Sequence, residues 1–219
     1  MNIDTGMGLL AELHDMVLEL DKNKPTEEAV QHIELTKNKR MTIEQMKENF
    51  FVITSGFVQV ECGDGNIVDF LRVGDIMCAE LVQNHKDKDW LPDYKMLTEC
   101  KFIQIDRKYF LRFSTLKPSF MELLLQVMTN KLMYVFNDSR KYDLSVEERF
   151  DFSLLELGRC FGGNNQQYHR IIPTFINKQK IASFSKTSRK YTARRLQDLE
   201  QMGNIEIIDK GILIRKLDF

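Results

Sequence analysis

The alternation of apolar and polar residues predicts a strand-rich part between helical parts. From Ile33 to Ile105, short runs of β-branched and aromatic residues alternate with turn sequences such as Gly63-Asp64-Gly65-Asn66 and Gly74-Asp75. This pattern is typical of antiparallel strands joined by tight turns. Residues 6–20 instead carry apolar residues at helical spacing. We therefore expect an N-terminal helix followed by an antiparallel sandwich or roll.

Three finer features of the strand-rich part can also be predicted. Ser55-Gly56 interrupts a strand run, which indicates a bend or bulge. The polar residues 83–94 favour a loop, and residues 96–105 favour one further strand.

Beyond residue 105 the apolar spacing becomes helical. Residues 107–115 predict a short helix, and Pro118 suits the first turn of the next one. In that second helix, apolar residues recur at steps of four and three, the seam of a coiled coil over about two heptads. The seam consists of Met121, Leu125, Met128, Leu132 and Val135. It packs either on its own domain or on a partner chain, and a second apolar face favours a dimerisation helix.

The C-terminal third predicts a helix-turn-helix with a hairpin after it. Residues 147–161 form a helix that Gly162 and its successors end, and residues 169–175 a short strand. The helix-turn-helix covers residues 177–205, with Ala182 at the helix crossing, a turn over 185–187 and Ser188 as the cap of its second helix. Two alternating runs around Asp209-Lys210-Gly211 predict a wing.

Charge is unevenly distributed and points to a polyanionic partner. Residues 170–219 carry eleven Lys and Arg and five Asp and Glu, a balance of +6, whereas the totals of 31 and 32 leave −7 for residues 1–169. Seven basic and no acidic residues lie between Lys178 and Arg195. At 100° per residue, Arg189, Lys190 and Arg194 share one arc of about 140°. Such an arc suits the major groove of DNA, and the alternative is a solvated basic face.

Composition excludes several other classes of protein. The chain has 219 residues, 43% of them hydrophobic, which suits one large or two modest globular domains. No apolar run has the length of a membrane span and no signal peptide is visible, so we expect a cytoplasmic protein without a membrane partner. Its four cysteines lack metal-ligand spacing. No pattern of catalytic residues is evident, and we expect no enzyme.

The order of these parts resembles the Crp/Fnr family of bacterial transcription regulators over about Ile33 to Phe219. The segments that carry the resemblance are SGFVQV, RVGDIMCAEL and QKIASFSKTSRKYTARRLQDLEQMGNIEI. It implies an α+β fold with three parts. These are an N-terminal antiparallel β-roll of the cyclic-nucleotide-binding jelly-roll type at 1–117, a long dimerisation helix at 118–140, and a winged helix-turn-helix domain at 141–219.

The resemblance also implies roles for individual residues. Arg189 and Arg194 match base-reading positions. Lys190 stands where the family often has a glutamate that accepts from cytosine, and a lysine would face guanine acceptors or a phosphate instead. Contacts to DNA phosphates are expected from Asn177, Gln179, Lys186, Thr187, Ser188 and Arg195.

Two residues of this set depart from the motif. Lys186 lies where the turn often has glycine, so its backbone would adopt an unfavourable positive φ. Arg195 lies where the motif is usually apolar. Its aliphatic stem would cover the edge of the core while its charged head reaches a phosphate.

The sensor part departs from the cyclic-nucleotide-binding members. Gly74 and Glu80 mark an effector pocket, but the arginine that grips a cyclic phosphate is missing between Arg72 and Arg107. The cations that follow Glu80 are lysines, which replace a bidentate guanidinium poorly. We therefore expect no cAMP binding and leave the effector unknown. The cysteine cluster of oxygen-sensing members is missing, and no iron–sulfur cluster or haem is expected.

The sequence thus predicts a homodimeric, sequence-specific DNA-binding regulator that acts on a roughly palindromic operator. Its expected partners are double-stranded DNA, a second copy of the chain and, as a further option, RNA polymerase. The alternative is a small-molecule-sensing adaptor whose winged helix binds protein instead of DNA.

Overall fold

A computed structural model describes residues 3–41, 46–63, 65–77, 92–162 and 171–217. Its helices are α1 (Ile3–Lys22), α2 (Arg107–Leu116), α3 (Ser119–Ser139), α4 (Val146–Phe161), α5 (Lys178–Phe184) and α6 (Arg189–Gln201). Its strands are β1 (Val30–Leu35), β2 (Arg40–Met41), β3 (Asn49–Ser55), β4 (Val58–Cys62), β5 (Asn66–Leu71), β6 (Ile76–Met77), β7 (Asp93–Met96), β8 (Cys100–Asp106), β9 (Ile171–Pro173), β10 (Ile205–Ile208) and β11 (Gly211–Ile214). Short 3-10 turns lie at Glu27–Ala29 and Arg140–Asp143.

The chain forms two compact units. The first comprises Met1–Gly63 and Leu71–Val135, and the second comprises Asp64–Phe70 and Phe136–Phe219. Strand β5 is divided between them, since its last residue, Leu71, belongs to the first unit.

Antiparallel sheets build the first unit, as the strand patterns predict. One sheet has the order β1-β8-β3-β6, with Ile33 opposite Phe102 and Phe51 opposite both Gln104 and Met77. In the other sheet, β7 pairs with β2 and with β4. The predicted irregularity at Ser55-Gly56 is confirmed, because the β3–β8 register shifts there and Gly56 has a φ of 93°.

The strand predicted over residues 96–105 is confirmed as β8 but begins four residues later, because Met96 ends a separate strand, β7, of the other sheet. β7 ends at Met96 and β8 begins at Cys100. The intervening residues turn the chain, and the Thr98 hydroxyl accepts a hydrogen bond of 3.0 Å from the Phe57 N–H. The predicted loop over 83–94 is also too long at its end, since β7 begins at Asp93. Its residues up to 91 lie outside the described ranges.

Two apolar clusters fill the first unit. One lies between the two sheets and includes Phe51, Val58, Tyr94 and Phe102. In the other, α1 and α2 cover the outer side of the β1-β8-β3 sheet, where Phe50 and Phe110 meet edge to face at 5.2 Å. The predicted N-terminal helix is confirmed and extends by a few residues at each end.

The helix that begins after Pro118 is confirmed as a 21-residue element, α3. In the single chain its predicted seam is only partly covered. Met121 and Met128 are half-buried, whereas Leu125, Leu132 and Val135 are 59%, 53% and 51% exposed. Packing on its own domain therefore leaves much of this apolar face in water.

The second unit contains α4, the helical hairpin of α5 and α6, and the sheet β10-β11-β9. Ser145 caps α4 in a capping box with Glu148, and the predicted end at Gly162 is confirmed. The predicted wing is β10 paired with β11, with Ile205 opposite Ile214. Gly211 begins β11 at a φ of 141°, and a side chain is excluded there because a Cβ would lie 1.9 Å from the Ile172 carbonyl oxygen.

The described helices include none that is both long and apolar enough to cross a lipid bilayer. Among the described residues, no group of three or more His, Cys, Asp and Glu could hold a metal ion. Cys62, Cys100 and Cys160 form no disulfide, and burial raises the pKa of the Cys100 thiol.

Candidate nucleic-acid interface

The first helix of the hairpin, α5, is fixed by its cap and by its apolar face. The Asn177 side chain accepts a hydrogen bond of 3.0 Å from the Lys180 N–H and so begins the helix. Ile181, Ala182 and Phe184 are buried. The Ala182 carbonyl accepts from the Thr187 N–H at 2.9 Å, so the small side chain lies where the chain turns back, as predicted.

A row of hydroxyl groups locks the turn between α5 and α6. The Ser185 hydroxyl donates to the Ile181 carbonyl at 2.8 Å and lies 2.9 Å from the Thr187 hydroxyl. The Thr187 hydroxyl in turn lies 3.0 Å from that of Thr192, which is fully buried on α6. Lys186 has a φ of 53°, so the predicted positive φ is confirmed. These hydrogen bonds stabilise the turn and offset the cost of a non-glycine residue in a left-handed conformation.

The second helix, α6, presents an apolar inner side and a cationic outer side. Ser188 caps it by accepting from the Tyr191 N–H at 3.1 Å, and Leu196 and Leu199 are buried. The three predicted base-reading residues, Arg189, Lys190 and Arg194, are all exposed.

The cations of this outer side are weakly engaged by the protein itself. Arg194 is 84% exposed at its side chain, and its Nε lies 3.9 Å from a carboxylate oxygen of Asp198. A surface pair of this kind contributes at most about 0.5 kcal/mol. No hydrogen bond or ion pair of the Arg189 and Lys190 side chains is found within the described ranges. The outer side of α6 thus offers hydrogen-bond donors to an external acceptor.

Arg195, one of the predicted phosphate ligands, is paired with carboxylates of its own chain. Its side chain is 12% exposed, its Nε donates to Asp151 at 3.1 Å and its NH1 lies 2.7 Å from Glu147. A second nitrogen also bonds to Asp151, and this carboxylate raises the pKa of Arg195. The guanidinium thus joins α6 to α4, and its contact with a DNA phosphate stays a prediction.

The remaining predicted phosphate ligands fall into two groups. Asn177, Gln179 and Ser188 are exposed at the beginnings of α5 and α6. Lys186 and Thr187 are half-buried in the turn. The Lys186 ammonium donates to the Ile67 carbonyl at 3.1 Å. The Thr187 hydroxyl is hydrogen-bonded to the hydroxyls of Ser185 and Thr192.

Two exposed lysines of the second unit were not among the predicted site residues. Lys178 lies in the first turn of α5, and Lys210 lies between β10 and β11 at the tip of the wing. The sequence signal was available for both, since each is a basic residue next to a predicted helix start or hairpin turn.

The predicted effector pocket is only partly described. Gly74 turns the chain between β5 and β6 at a φ of 91°, and a Cβ there would lie 1.9 Å from the Leu10 side chain. Glu80, Lys86 and Lys88 lie outside the described residues, so the cAMP prediction stays a prediction.

Comparison with solved structures shows which fold the chain has. A cyclic nucleotide-binding domain containing protein from Listeria monocytogenes aligns with a TM-score of 0.77 at 17% identity, covering 92% of this chain and 97% of the other. The c-di-GMP responsive global regulator CLP of Xanthomonas campestris aligns with a TM-score of 0.68 at 13% identity, covering 92% and 99%. TTHA1359, a CRP/FNR family transcriptional regulator from Thermus thermophilus, aligns with a TM-score of 0.63 at 13% identity, covering 85% and 94%.

These likenesses extend over nearly the whole chain and confirm the predicted resemblance at the level of the fold. The structure has the architecture of the Crp/Fnr regulators, with an antiparallel β-roll, a long helix and a winged helix-turn-helix. No protein-family model and no curated protein matches the sequence.

Proposed function

We propose that the chain is a sequence-specific DNA-binding transcription regulator of the Crp/Fnr type. One observation carries this proposal. Arg189, Lys190 and Arg194 project from the outer side of α6, the second helix of a winged helix-turn-helix, while its inner side packs on the domain. An α-helix of this kind fits the major groove of B-form DNA.

The chemistry of this surface limits the bases that it would read. The three side chains are hydrogen-bond donors without acceptor capacity. Guanine presents two acceptors, O6 and N7, in the major groove, whereas cytosine presents a donor. We therefore expect each half-site to place guanine, and not cytosine, opposite Arg189, Lys190 and Arg194.

Contacts to the DNA backbone would fix the register. Asn177, Gln179 and Ser188 lie exposed at the two helix starts, where backbone N–H groups and the helix dipole favour a phosphate. Lys178 and Lys210 extend this set with two exposed cations. Such contacts carry little sequence information but make affinity steeply dependent on salt.

The active form that we propose is a homodimer. The partly uncovered seam of α3 supports it, because Leu125, Leu132 and Val135 would be removed from water against a second copy. Two copies of α6 would then read half-sites about 34 Å apart on a roughly palindromic operator. The proposal entails a non-enzymatic, cytoplasmic protein that does not respond to cAMP, and RNA polymerase stays a predicted partner.

The experiment that tests the function is a salt titration of duplex binding, followed by selection of bound sequences from a random library. The charge-removal variant R189A/K190A/R194A is compared with K37A/K39A/K47A, which removes three exposed lysines elsewhere. We expect the first variant to lose both affinity and sequence selection, and the second to keep selection.

Equal loss in the two triple variants would show that net charge alone drives binding. No duplex binding at low salt by the parent protein would contradict the proposal and favour the protein-binding adaptor.

A further inference from the structure

A carboxylate borders the cationic outer side of α6. The helix contains two acidic residues, Asp198 and Glu200. At 100° per residue, Asp198 lies about 40° round the helix axis from Arg194, next to the arc of the three predicted base-reading residues. Its side chain is 41% exposed, and one of its carboxylate oxygens lies 3.9 Å from the Arg194 Nε. The proposed DNA-reading surface thus includes an acid beside one of its cations.

This acid lowers the affinity of the surface for any duplex. DNA carries a dense array of phosphates, which repel a carboxylate whatever the base sequence. Guanine, the base that we expect opposite Arg194, presents the acceptors O6 and N7, and a carboxylate has no donor for them. A favourable contribution of Asp198 to DNA binding would therefore act through a neighbouring side chain and concern selectivity.

Helix stability does not account for Asp198 either. The residue lies in the last turn of α6, where the negative end of the helix dipole disfavours an acid. In its pair with Arg194 the base is on the N-terminal side, which is the less favourable order of charges along a helix. Both side chains are open to solvent, so the pair contributes little to the stability of the fold.

The contact instead restricts the conformation of Arg194. The Arg194 side chain is 84% exposed, and such a long side chain samples many rotamers in water. A carboxylate at Nε limits these rotamers and leaves the two terminal nitrogens for O6 and N7 of one guanine. Exclusion of water from the groove would strengthen the ion pair. An arginine that is ordered before binding also loses less entropy when it contacts its base.

We propose that Asp198 is a positioning residue for base reading, which orients the Arg194 guanidinium towards guanine and so raises sequence selectivity while lowering affinity for duplex DNA in general. Asp198 makes no direct contact with DNA in this proposal. The inference rests on the proposed function, since it concerns the selectivity of the same surface.

The first test compares the alanine variants D198A and E200A. Each removes one negative charge from α6, but Glu200 lies about 120° round the axis from Arg194, on a part of the helix that does not face it. We expect both variants to bind random-sequence duplex about 2- to 5-fold more tightly than the parent, the size of one screened charge interaction. Fluorescence anisotropy measures these affinities.

Base preference should separate the same two variants. At the base pair whose preference R194A relaxes, D198A should lose about 3- to 10-fold of the preference for guanine, part of the discrimination that a bidentate contact supplies. E200A should keep the preference of the parent. Sequencing of duplexes selected from a random library measures both.

Two further variants identify the route of the effect. D198E keeps a carboxylate four residues from Arg194 and should keep most of the guanine preference. In the R194A background, D198A should change no base preference further, because the side chain through which Asp198 acts is missing. A purely structural role of Asp198 would not depend on the presence of Arg194.

These outcomes separate the two proposals. If the parent binds no duplex, the proposed function fails. If the parent selects an operator but D198A keeps its full guanine preference, or E200A loses as much of it, only the role of Asp198 is overturned. A loss of preference that is equal with and without Arg194 would also overturn it, because Asp198 would then act independently of that arginine.

Discussion

Arg194 and Arg195 are consecutive residues of α6 with opposite surroundings. The Arg194 Nε lies 3.9 Å from its nearest carboxylate and its side chain is in water, whereas the Arg195 NH1 lies 2.7 Å from Glu147 and its side chain is largely covered. Successive side chains on a helix differ by 100°, so one arginine faces outward and the other faces α4. The two thus have different tasks, which mutation can separate.

R194A should weaken binding to the selected operator by roughly 1–3 kcal/mol and relax base preference at one position of each half-site. Its effect on folding should stay within about 0.5 kcal/mol, because the side chain is exposed and its ion pair is weak. Fluorescence anisotropy with operator and single-base variants measures the first effect, and urea denaturation measures the second. An unchanged preference at every base pair would remove Arg194 from the reading surface.

R195A should instead lower the free energy of unfolding by roughly 1–3 kcal/mol. Removal of one partner from a fully buried ion pair lowers the free energy of unfolding by more than this. The Arg195–Asp151 pair is partly exposed, so solvent screening reduces the loss. Urea denaturation checks the loss, and the variant D151N should lose part of the same free energy. If R195A is as stable as the parent, the pairing with Asp151 contributes nothing net.

The different surroundings of Arg194 and Arg195 show which features of the hairpin could be predicted from the sequence. Apolar spacing and the Ser188 cap predicted the helical hairpin, because Ser188 and the buried leucines act on residues close to them in the chain. The partners of Arg195 could not be predicted, since Glu147 and Asp151 lie more than forty residues away in the chain. Strand β7 was not predicted for a similar reason, because its pairing with β2 and β4 involves residues distant in the chain.

L132D should convert the expected dimer into a monomer. Each buried leucine contributes roughly 1.5–3 kcal/mol, and a charge in its place adds a desolvation cost. Light scattering coupled to size exclusion measures the mass of the parent and of the variant. L111D is the control, because Leu111 on α2 is also half-exposed but lies outside the seam. A parent that is monomeric at micromolar concentration would contradict the dimer.

G211A should destabilise the second unit by roughly 2 kcal/mol or more. An added Cβ would meet the Ile172 carbonyl oxygen at 1.9 Å, so β9 and β11 cannot keep their spacing. G203A is the matched control, since Gly203 also has a positive φ, of 73°, but nothing lies within 4 Å of its Cβ position. G203A should cost only about 1 kcal/mol. Thermal unfolding of both variants tests whether steric contact or backbone strain dominates.

E148Q should lower thermal stability near neutral pH and have little effect in acid. The Ser145 hydrogen bonds at the start of α4 lower the pKa of Glu148. A lowered carboxyl pKa stabilises the fold above the unfolded-state value of about 4.3 and loses this effect as pH falls through the folded-state value. The gap in melting temperature between parent and variant should therefore close below pH 4. A gap that persists in acid would show that the amide fails to replace the carboxylate for reasons other than charge.

The left-handed backbone of Lys186 sets the stability of the fold against the proposed DNA contact of the same residue. K186G would relieve a strain of about 1 kcal/mol, and selection for heat resistance would favour it. The same replacement would remove the ammonium that donates to the Ile67 carbonyl and that we expect to bind a DNA phosphate. Laboratory evolution towards a more heat-stable protein should therefore favour, at this position, a variant that binds DNA more weakly.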